Sequence, residues 1–195
     1  MTTINKYLIE GLDRLGKDTL INGIMDKRGF HQTIHFSKPV ITEFYKPIQG
    51  GLAADEVKRK MLYSYQRASF LNMFILLHQA NSAKIICNRA HLGECVYAPL
   101  YRGYSGDYVF DLENTASMEE NTSTRLILLT EDFATSRHFI DDGESFDITK
   151  REKEQELFLA AFERSRIRDK RIICVTDLAL GGFKRKDFIL EEALA

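Results

Sequence analysis

The sequence predicts an α/β protein built on a five-stranded parallel sheet that is flanked by helices on both faces. Short apolar runs alternate along the chain with longer segments whose apolar residues recur at helical spacing. The runs are continuously apolar, whereas a strand with one face in water would alternate apolar and polar residues. Strands of this kind are buried on both faces, as they are in a parallel sheet between helices.

The amino-terminal half of the chain contains three of the predicted strands, at 7–9, 33–36 and 84–87. Helices are predicted at 19–27, at 54–81 and near 91–100. Gly29 lies just past the first helix, and Pro39 stops the second strand. The 54–81 segment holds neither Gly nor Pro, so it is predicted to form one long helix or a broken pair of helices.

The carboxy-terminal half contains two further predicted strands, at 125–129 and 172–175. Residues 103–123 hold Gly, Asn and Ser and are predicted to form mostly surface loop, with room for some helix. A polar segment, 134–147, precedes a charged helix at 149–165. No repeat, low-complexity tract or Ser/Gly linker divides the chain, so residues 1–195 are predicted to form a single domain.

The composition predicts a soluble cytoplasmic protein. The 27 basic and 28 acidic residues nearly balance, which argues against a protein held to membrane or nucleic acid by net charge. No apolar stretch is long enough to span a bilayer, and the amino terminus lacks a signal-peptide pattern. The three cysteines are widely spaced and form no C-x-x-C pair, which argues against a disulfide framework and against a zinc site.

Residues 11–17 match the phosphate-binding pattern G-x-x-x-x-G-K, and they follow a predicted strand and open a predicted helix. Such a loop turns backbone N–H groups toward an anion, the helix N-terminus adds partial positive charge, and Lys17 reaches the outer phosphates. The motif therefore predicts a P-loop NTPase fold that binds ATP. The predicted ATP-binding residues are Gly11, Leu12, Asp13, Arg14, Leu15, Gly16, Lys17, Asp18 and Thr19.

Asp18 occupies the position where this motif usually offers a Ser or Thr hydroxyl to Mg²⁺. A carboxylate is an acceptable ligand, so Asp18 is the candidate metal ligand, either directly or through water. Alternatively, its charge repels phosphate and weakens binding. Thr19 offers a hydroxyl, but it points about 100° further around the helix.

Residues 9–17 resemble the phosphate loop of thymidylate kinases and their deoxynucleoside kinase relatives. The resemblance implies that Asp13 contacts the 3′-hydroxyl region of the substrate sugar and that Arg14 helps to stabilise the transferring phosphoryl group. Residues 62–67 resemble a helix segment of the family that stacks an aromatic ring on the base and holds the acceptor phosphate with an arginine. Tyr63 and Arg67, four residues apart, are predicted to play these two roles.

Residues 85–97 resemble the strand end that bears the Asp-Arg-Tyr signature of thymidylate kinases and the Glu-Arg-Ser signature of deoxynucleoside kinases. The resemblance implies that Arg89 lies beside the phosphates and that Tyr97 lines the nucleoside pocket. Ligands of open α/β sheets bind at the carboxyl ends of the strands, which independently favours this location. Asn88 departs from the acidic residue that both families place before the arginine.

Two further basic residues are predicted to serve the reaction. The 134–147 segment occupies the place of the family's lid, so Arg137 is predicted to approach the transferring group when the lid closes. Lys38 stands where thymidylate kinases usually place a substrate-binding arginine just before a proline, and it is predicted to contact the acceptor as a weaker replacement.

The leading hypothesis is a deoxynucleoside monophosphate kinase of deoxynucleotide biosynthesis that uses ATP and Mg²⁺, with catalytic roles for Lys17, Arg14, Arg89 and Arg137. The resemblance implies a homodimer, and a compact kinase with relaxed motifs would suit a viral genome and the host cytoplasm. The first alternative is a small P-loop kinase that phosphorylates a hydroxyl, either of a nucleoside or of a modified base in DNA. The second is a nucleotide-binding protein that has lost catalysis.

Overall fold

Five parallel strands form the predicted sheet. The computed structural model describes residues 3–36, 55–79, 82–136, 148–177 and 179–195. The strands are β1 (Lys6–Gly11), β2 (Gln32–His35), β3 (Ile85–Asn88), β4 (Thr124–Thr130) and β5 (Asp169–Cys174), and they lie in the order β2-β3-β1-β4-β5. The prediction of an α/β fold with a five-stranded parallel sheet is confirmed.

The central strands are buried because helices cover them. β1 pairs with β3 on one side and with β4 on the other, and every residue of β1, β3 and β4 is buried. This burial explains why these runs are continuously apolar in their centres. The carboxyl ends of β1 and β3 lie side by side in the register, where Ile9 faces Asn88, so the loops that follow both strands meet at one edge of the sheet.

Three pairs of helices pack against each other. The helices are α1 (Lys17–Arg28), α2 (Glu56–Gln79), α3 (Leu92–Tyr97), α4 (Tyr108–Thr115), α5 (Phe133–Ser136), α6 (Arg151–Arg164) and α7 (Lys186–Leu194). α1 packs against α7, α3 against α6, and α2 against α4. The 54–81 segment is one continuous helix over its described residues, and Phe70, Phe74 and Leu77 from it enter the core. None of the helices in the described ranges is both long and apolar enough to cross a membrane.

The expectation of mostly surface loop at 103–123 is wrong. Helix α4 and a short 3₁₀ turn, Met118–Glu120, occupy much of this segment, and Tyr108, Val109, Leu112 and Met118 are buried. The flanking Gly, Asn and Ser residues mark the ends of the helix rather than a continuous loop. Before α4, the helix predicted near 91–100 continues from α3 into a π-helical turn, Ala98–Arg102.

The carboxy terminus adds elements that the sequence analysis does not predict. Strands β6 (Thr176–Asp177) and β7 (Gly182–Phe183) form a short antiparallel pair, and α7 follows them. Leu190 of α7 packs so closely on Gly23 of α1 that a Cβ at Gly23 would lie 3.1 Å from the leucine. The carboxy-terminal helix therefore supports the helix that carries the phosphate loop.

Gly11 and Gly16 offer a matched test of the loop. Both have positive φ, +130° and +79°, but a Cβ at Gly11 would overlap the Leu129 carbonyl oxygen of β4, whereas a Cβ at Gly16 would meet nothing within 4 Å. We expect Gly11→Ala to lower the free energy of unfolding by about 3 kcal/mol, from strain plus overlap. Gly16→Ala should cost only about 1 kcal/mol of left-handed strain. Urea denaturation measures both, and equal losses would contradict the overlap.

Candidate active site

The phosphate loop joins β1 to α1 at the edge of the sheet. Gly11 closes the strand, and Gly16 caps the helix in the left-handed conformation, with φ 79° and ψ 26°. Between them, Arg14 also has a positive φ of 67°. When several residues of a short loop adopt the left-handed conformation, their backbone N–H groups point toward a common centre. This geometry, called a nest, binds anions.

Lys17 lies inside this loop. Its side chain is only 7% exposed, and Nζ donates hydrogen bonds to the carbonyl oxygens of Gly11 (2.9 Å) and Leu12 (2.5 Å). The Asp13 carboxylate lies 3.9 Å from the same ammonium group. Burial, and secondarily the charge of Arg89, lowers the pKa of Lys17 to about 8, although nearby carboxylates oppose the shift.

An open cleft faces the loop, and we name it the phosphate cleft. Its lining residues carry mostly polar or charged side chains, and they are Arg14, Gly16, Lys17, Asp18, Thr19, His35, Asn88 and Arg89. Asn88 donates a 2.7 Å hydrogen bond from Nδ2 to Asp18 Oδ1. Basic side chains from two elements converge here, so the cleft can bind the phosphates of a nucleotide.

A second cavity, the inner pocket, lies deeper in the molecule between β1, α2, α3 and α6. Aromatic rings and ionisable groups share its wall, which is formed by Glu10, Gly11, Phe36, Gln66, Phe70, Arg89, Ala90, Gly93, Glu94, Tyr97, Arg102 and Phe158. The free volume of this pocket is about 10 Å³, which is space for about one water molecule, so a larger ligand would enter only if the walls moved apart. The predicted nucleoside-pocket residue Tyr97 lies in this wall.

Arg89 connects the two cavities. It follows β3 with a positive φ of 61°, and its backbone N–H donates to the Ile9 carbonyl oxygen at 2.9 Å. Its guanidinium forms an ion pair with the Asp13 carboxylate of the loop. Because Arg89 lines both the phosphate cleft and the inner pocket, one side chain touches both spaces.

Helix α2 turns Gln66, rather than Arg67, toward the inner pocket. Gln66 is 1% exposed and belongs to the lining of this pocket. Arg67 is exposed, and Tyr63 is half-buried against the rings of Tyr104 and Tyr108. Tyr63 and Arg67 are therefore not brought together on the lining of the inner pocket, as far as its described residues go.

Two buried carboxylates border the inner pocket. Glu94 accepts hydrogen bonds from Arg102 Nη1 (2.5 Å), Tyr104 (2.8 Å) and Tyr108 (2.9 Å). Glu10, the residue before Gly11, accepts a 2.8 Å hydrogen bond from the backbone N–H of Leu92. Burial raises the pKa of Glu10, against the opposing charge of His91.

Sequence reasoning did not find Glu10, Gln66, Glu94 or Arg102. It also missed Arg151, the first residue of α6, which donates from Nη2 to the Asp13 carbonyl oxygen (2.9 Å) and from Nε to Glu131 (2.5 Å). The position of Arg151 directly after the predicted lid segment is the signal that could have found it. Lys38, Arg137 and residues 137–147 of that segment lie outside the described residues.

Two solved structures resemble the whole chain. A thymidylate kinase from Candida albicans matches with a TM-score of 0.62 at 16% identity, over 97% of this chain and 89% of that chain. The YorR protein from Bacillus subtilis, in complex with phosphorylated GDP, matches with a TM-score of 0.59 at 13% identity, over 96% and 92%. At such identities the likeness shows the fold, which is the P-loop NTPase fold. No protein-family model matches the sequence, and no curated protein matches it significantly.

The lowered pKa of Lys17 predicts a proton uptake on binding ADP. Phosphate favours the ammonium form, so a lysine that is mostly neutral in the free protein above pH 8 takes up a proton when ADP binds. ADP affinity should therefore fall as the pH rises above 8. Titration calorimetry in two buffers of different ionisation enthalpy should give most of one proton at about pH 9 and little at about pH 7.

The charges that act on the Lys17 ammonium are those of Arg89, which lowers its pKa, and of Asp13, Glu10 and Asp18, which raise it. Lys60→Met, which removes an exposed lysine from α2, serves as the control and should leave the uptake unchanged. A flat uptake between pH 7 and pH 9 would contradict the depressed pKa.

Proposed function

We propose that this protein is an ATP-dependent kinase that transfers the γ-phosphoryl group to the 5′-phosphate of a deoxynucleoside monophosphate, as thymidylate kinases do. The observation that carries the proposal is the location of Arg89, which lines both the phosphate cleft and the inner pocket. A guanidinium at such a junction can contact donor and acceptor phosphates at once. A protein that only bound a nucleotide would have no need of this arrangement.

The donor would occupy the phosphate cleft and the space beside it. Arg14, Gly16 and Thr19 line both the cleft and an adjacent recess between α1 and α7. Phe183 and Leu190 supply apolar surface in that recess. ATP would place its triphosphate over the loop, with Lys17 at the outer phosphates, and its adenine against this apolar surface.

The acceptor would occupy the inner pocket after its walls had moved apart, because the present free volume of about 10 Å³ holds no more than about one water molecule. The rings of Phe70 and Tyr97 would provide flat surfaces for a base, and the amide of Gln66 carries a donor and an acceptor that could face its edge. The acceptor phosphate would then lie toward Arg89, with Asp13 near the sugar. Lys38 and Arg67 remain proposed contacts to the acceptor.

Transfer between two phosphates requires positioning and charge neutralisation more than a base, because the acceptor oxygen is already anionic. Arg14, Lys17 and Arg89 would hold the donor, transferring and acceptor groups in line, and Arg137 would join them when the lid closes. Asp18 and Asn88 line the same cleft, and carboxylate and amide oxygens suit Mg²⁺. When bound, Mg²⁺ would neutralise charge on the donor phosphates.

A second candidate is a kinase that phosphorylates a hydroxyl group, and Glu10 favours it. Proton removal from a hydroxyl requires a general base within hydrogen-bond reach. Glu10 lines the inner pocket beside Gly11, and its pKa is raised by burial, which brings it closer to that of a useful base.

A coupled assay with ATP and Mg²⁺ tests the proposal against a panel of deoxynucleosides, their 5′-monophosphates and an oligonucleotide that carries a hydroxymethylated base. We expect turnover of at least one monophosphate, and Arg89→Ala should lower its kcat/KM on the order of a hundredfold or more, because charge stabilisation at the junction is lost. Arg166→Ala removes an exposed arginine and is the matched control, with activity unchanged.

The panel also separates the candidates. Turnover of a nucleoside or of the oligonucleotide, with none of any monophosphate, would overturn the proposal in favour of the hydroxyl kinase, and Glu10→Gln should then abolish it. Tight ADP binding with no turnover on any acceptor would favour a protein that has lost catalysis.

Gln66 and Arg67 form an adjacent pair that tests the acceptor site. Gln66→Leu keeps the volume of the side chain but removes its hydrogen-bonding groups, so we expect KM for the monophosphate to rise about tenfold with little change in stability. Arg67→Ala, measured beside it, tests the contact with the acceptor phosphate. If Arg67→Ala leaves KM and kcat untouched, that contact is wrong. If Gln66→Leu leaves KM untouched, the base does not contact Gln66.

A further inference from the structure

Two of the residues that depart from the family motifs, Asp18 and Asn88, contact each other across the phosphate cleft. Asp18 lies in the first turn of α1, and Asn88 is the last residue of β3, the strand beside β1. They are 70 residues apart in the sequence, yet Asn88 Nδ2 lies 2.7 Å from Asp18 Oδ1. Both side chains line the cleft beside Lys17.

The direction of this hydrogen bond leaves one oxygen unpaired. Asn88 is only 4% exposed, and its Oδ1 is buried with no hydrogen-bond partner among the described residues. The opposite amide orientation would press this oxygen against the Asp18 carboxylate, which like partial charges forbid. A buried carbonyl oxygen that lacks a donor can instead be satisfied by a cation or by the water that a cation carries.

A P-loop usually holds Mg²⁺ with a neutral hydroxyl at the position of Asp18 and with a carboxylate from a neighbouring strand. In this chain the helix carries the carboxylate, and the strand carries the neutral oxygen. We propose that Asp18 and Asn88 form a transposed magnesium pair, in which carboxylate and neutral oxygen have exchanged places across the cleft. The inference rests on the proposed function, because the cation is the one that accompanies ATP.

The exchange preserves what Mg²⁺ requires. The two positions together supply one negative charge and one neutral oxygen in either arrangement, and Mg²⁺ is commonly held by one or two carboxylates together with phosphates and water. Because Asn88 Oδ1 is buried, its side chain would have to turn toward the cleft to bind the cation. Each half of the exchange alone upsets this balance. Asp18→Ser removes the carboxylate, whereas Asn88→Asp places two carboxylates within hydrogen-bond distance of each other. Only the double substitution restores the usual arrangement.

Binding of Mn²⁺ to the ADP-bound protein tests the pair without turnover. Mn²⁺ shares the oxygen preference of Mg²⁺, and its free concentration is read from its paramagnetic resonance signal. We expect Asp18→Ser and the isosteric Asp18→Asn to weaken Mn²⁺ binding about tenfold or more. Asp18→Ser/Asn88→Asp should return within about threefold of the original chain, which is the signature of coupled positions. Asp111→Asn, an exposed carboxylate on α4, is the matched control with no change.

The outcomes distinguish this inference from the proposed function. Unchanged Mn²⁺ affinity in Asp18→Asn, or a double variant as weak as Asp18→Ser, overturns the transposed pair even if the protein is an active kinase. If the Mn²⁺ affinities of the variants follow the expected pattern but the protein phosphorylates no acceptor, the transposed pair is supported and the proposed kinase function is overturned. A thermal melt of each variant shows that the comparison is made between folded proteins.

Discussion

The site depends on one buried cation, the ammonium group of Lys17. Removing a charge from water is costly, and here carbonyl oxygens of the loop and nearby carboxylates offset that cost before any ligand arrives. The loop can wrap the lysine so closely because Gly11 passes against the Leu129 carbonyl of β4 without a side chain. When a phosphate bound, the Lys17 ammonium would give up its hydrogen bonds to these carbonyl oxygens and form stronger, charge-assisted ones to the phosphate. The loop carbonyls therefore stabilise the lysine in the free protein and compete with the phosphate for it.

Three other cations of the site are each held by a carboxylate. Arg89 pairs with Asp13, Arg102 with Glu94, and Arg151 with Glu131. These pairs fix the guanidinium groups in place, which lowers the entropy lost when a ligand binds. The Arg89 pair also links the two cavities. A phosphate that drew Arg89 away would leave the Asp13 carboxylate of the loop without this partner.

Local patterns in the sequence were sufficient for the sheet and for the phosphate loop, because apolar runs and the glycine-lysine spacing act over a few residues. The inner pocket depends on contacts that are distant in the chain or on helix rotation. Gln66 and Arg67 differ by about 100° around α2, and only packing decides which of them faces inward. Glu94 contacts Arg102, Tyr104 and Tyr108 because the π-helical turn and α4 fold these residues back toward α3. The sequence does not predict these contacts, since the Gly and Asn content of that segment is typical of a loop.

Departures from a motif are better judged in pairs across the sheet than one at a time. Taken alone, Asp18 suggests a loop that repels phosphate, and Asn88 suggests a lost acidic residue, so the sequence supports a decayed enzyme as readily as an active one. The parallel pairing of β1 with β3 brings both positions to one edge, where their hydrogen bond makes a single site of them. The charge that is lost at one position is present at the other. The pair as a whole keeps the same total charge and the same number of oxygen ligands as the usual motif. This is a physical reason to treat Asp18 and Asn88 as one linked change, and it favours a site that still binds a cation over one that has lost this ability.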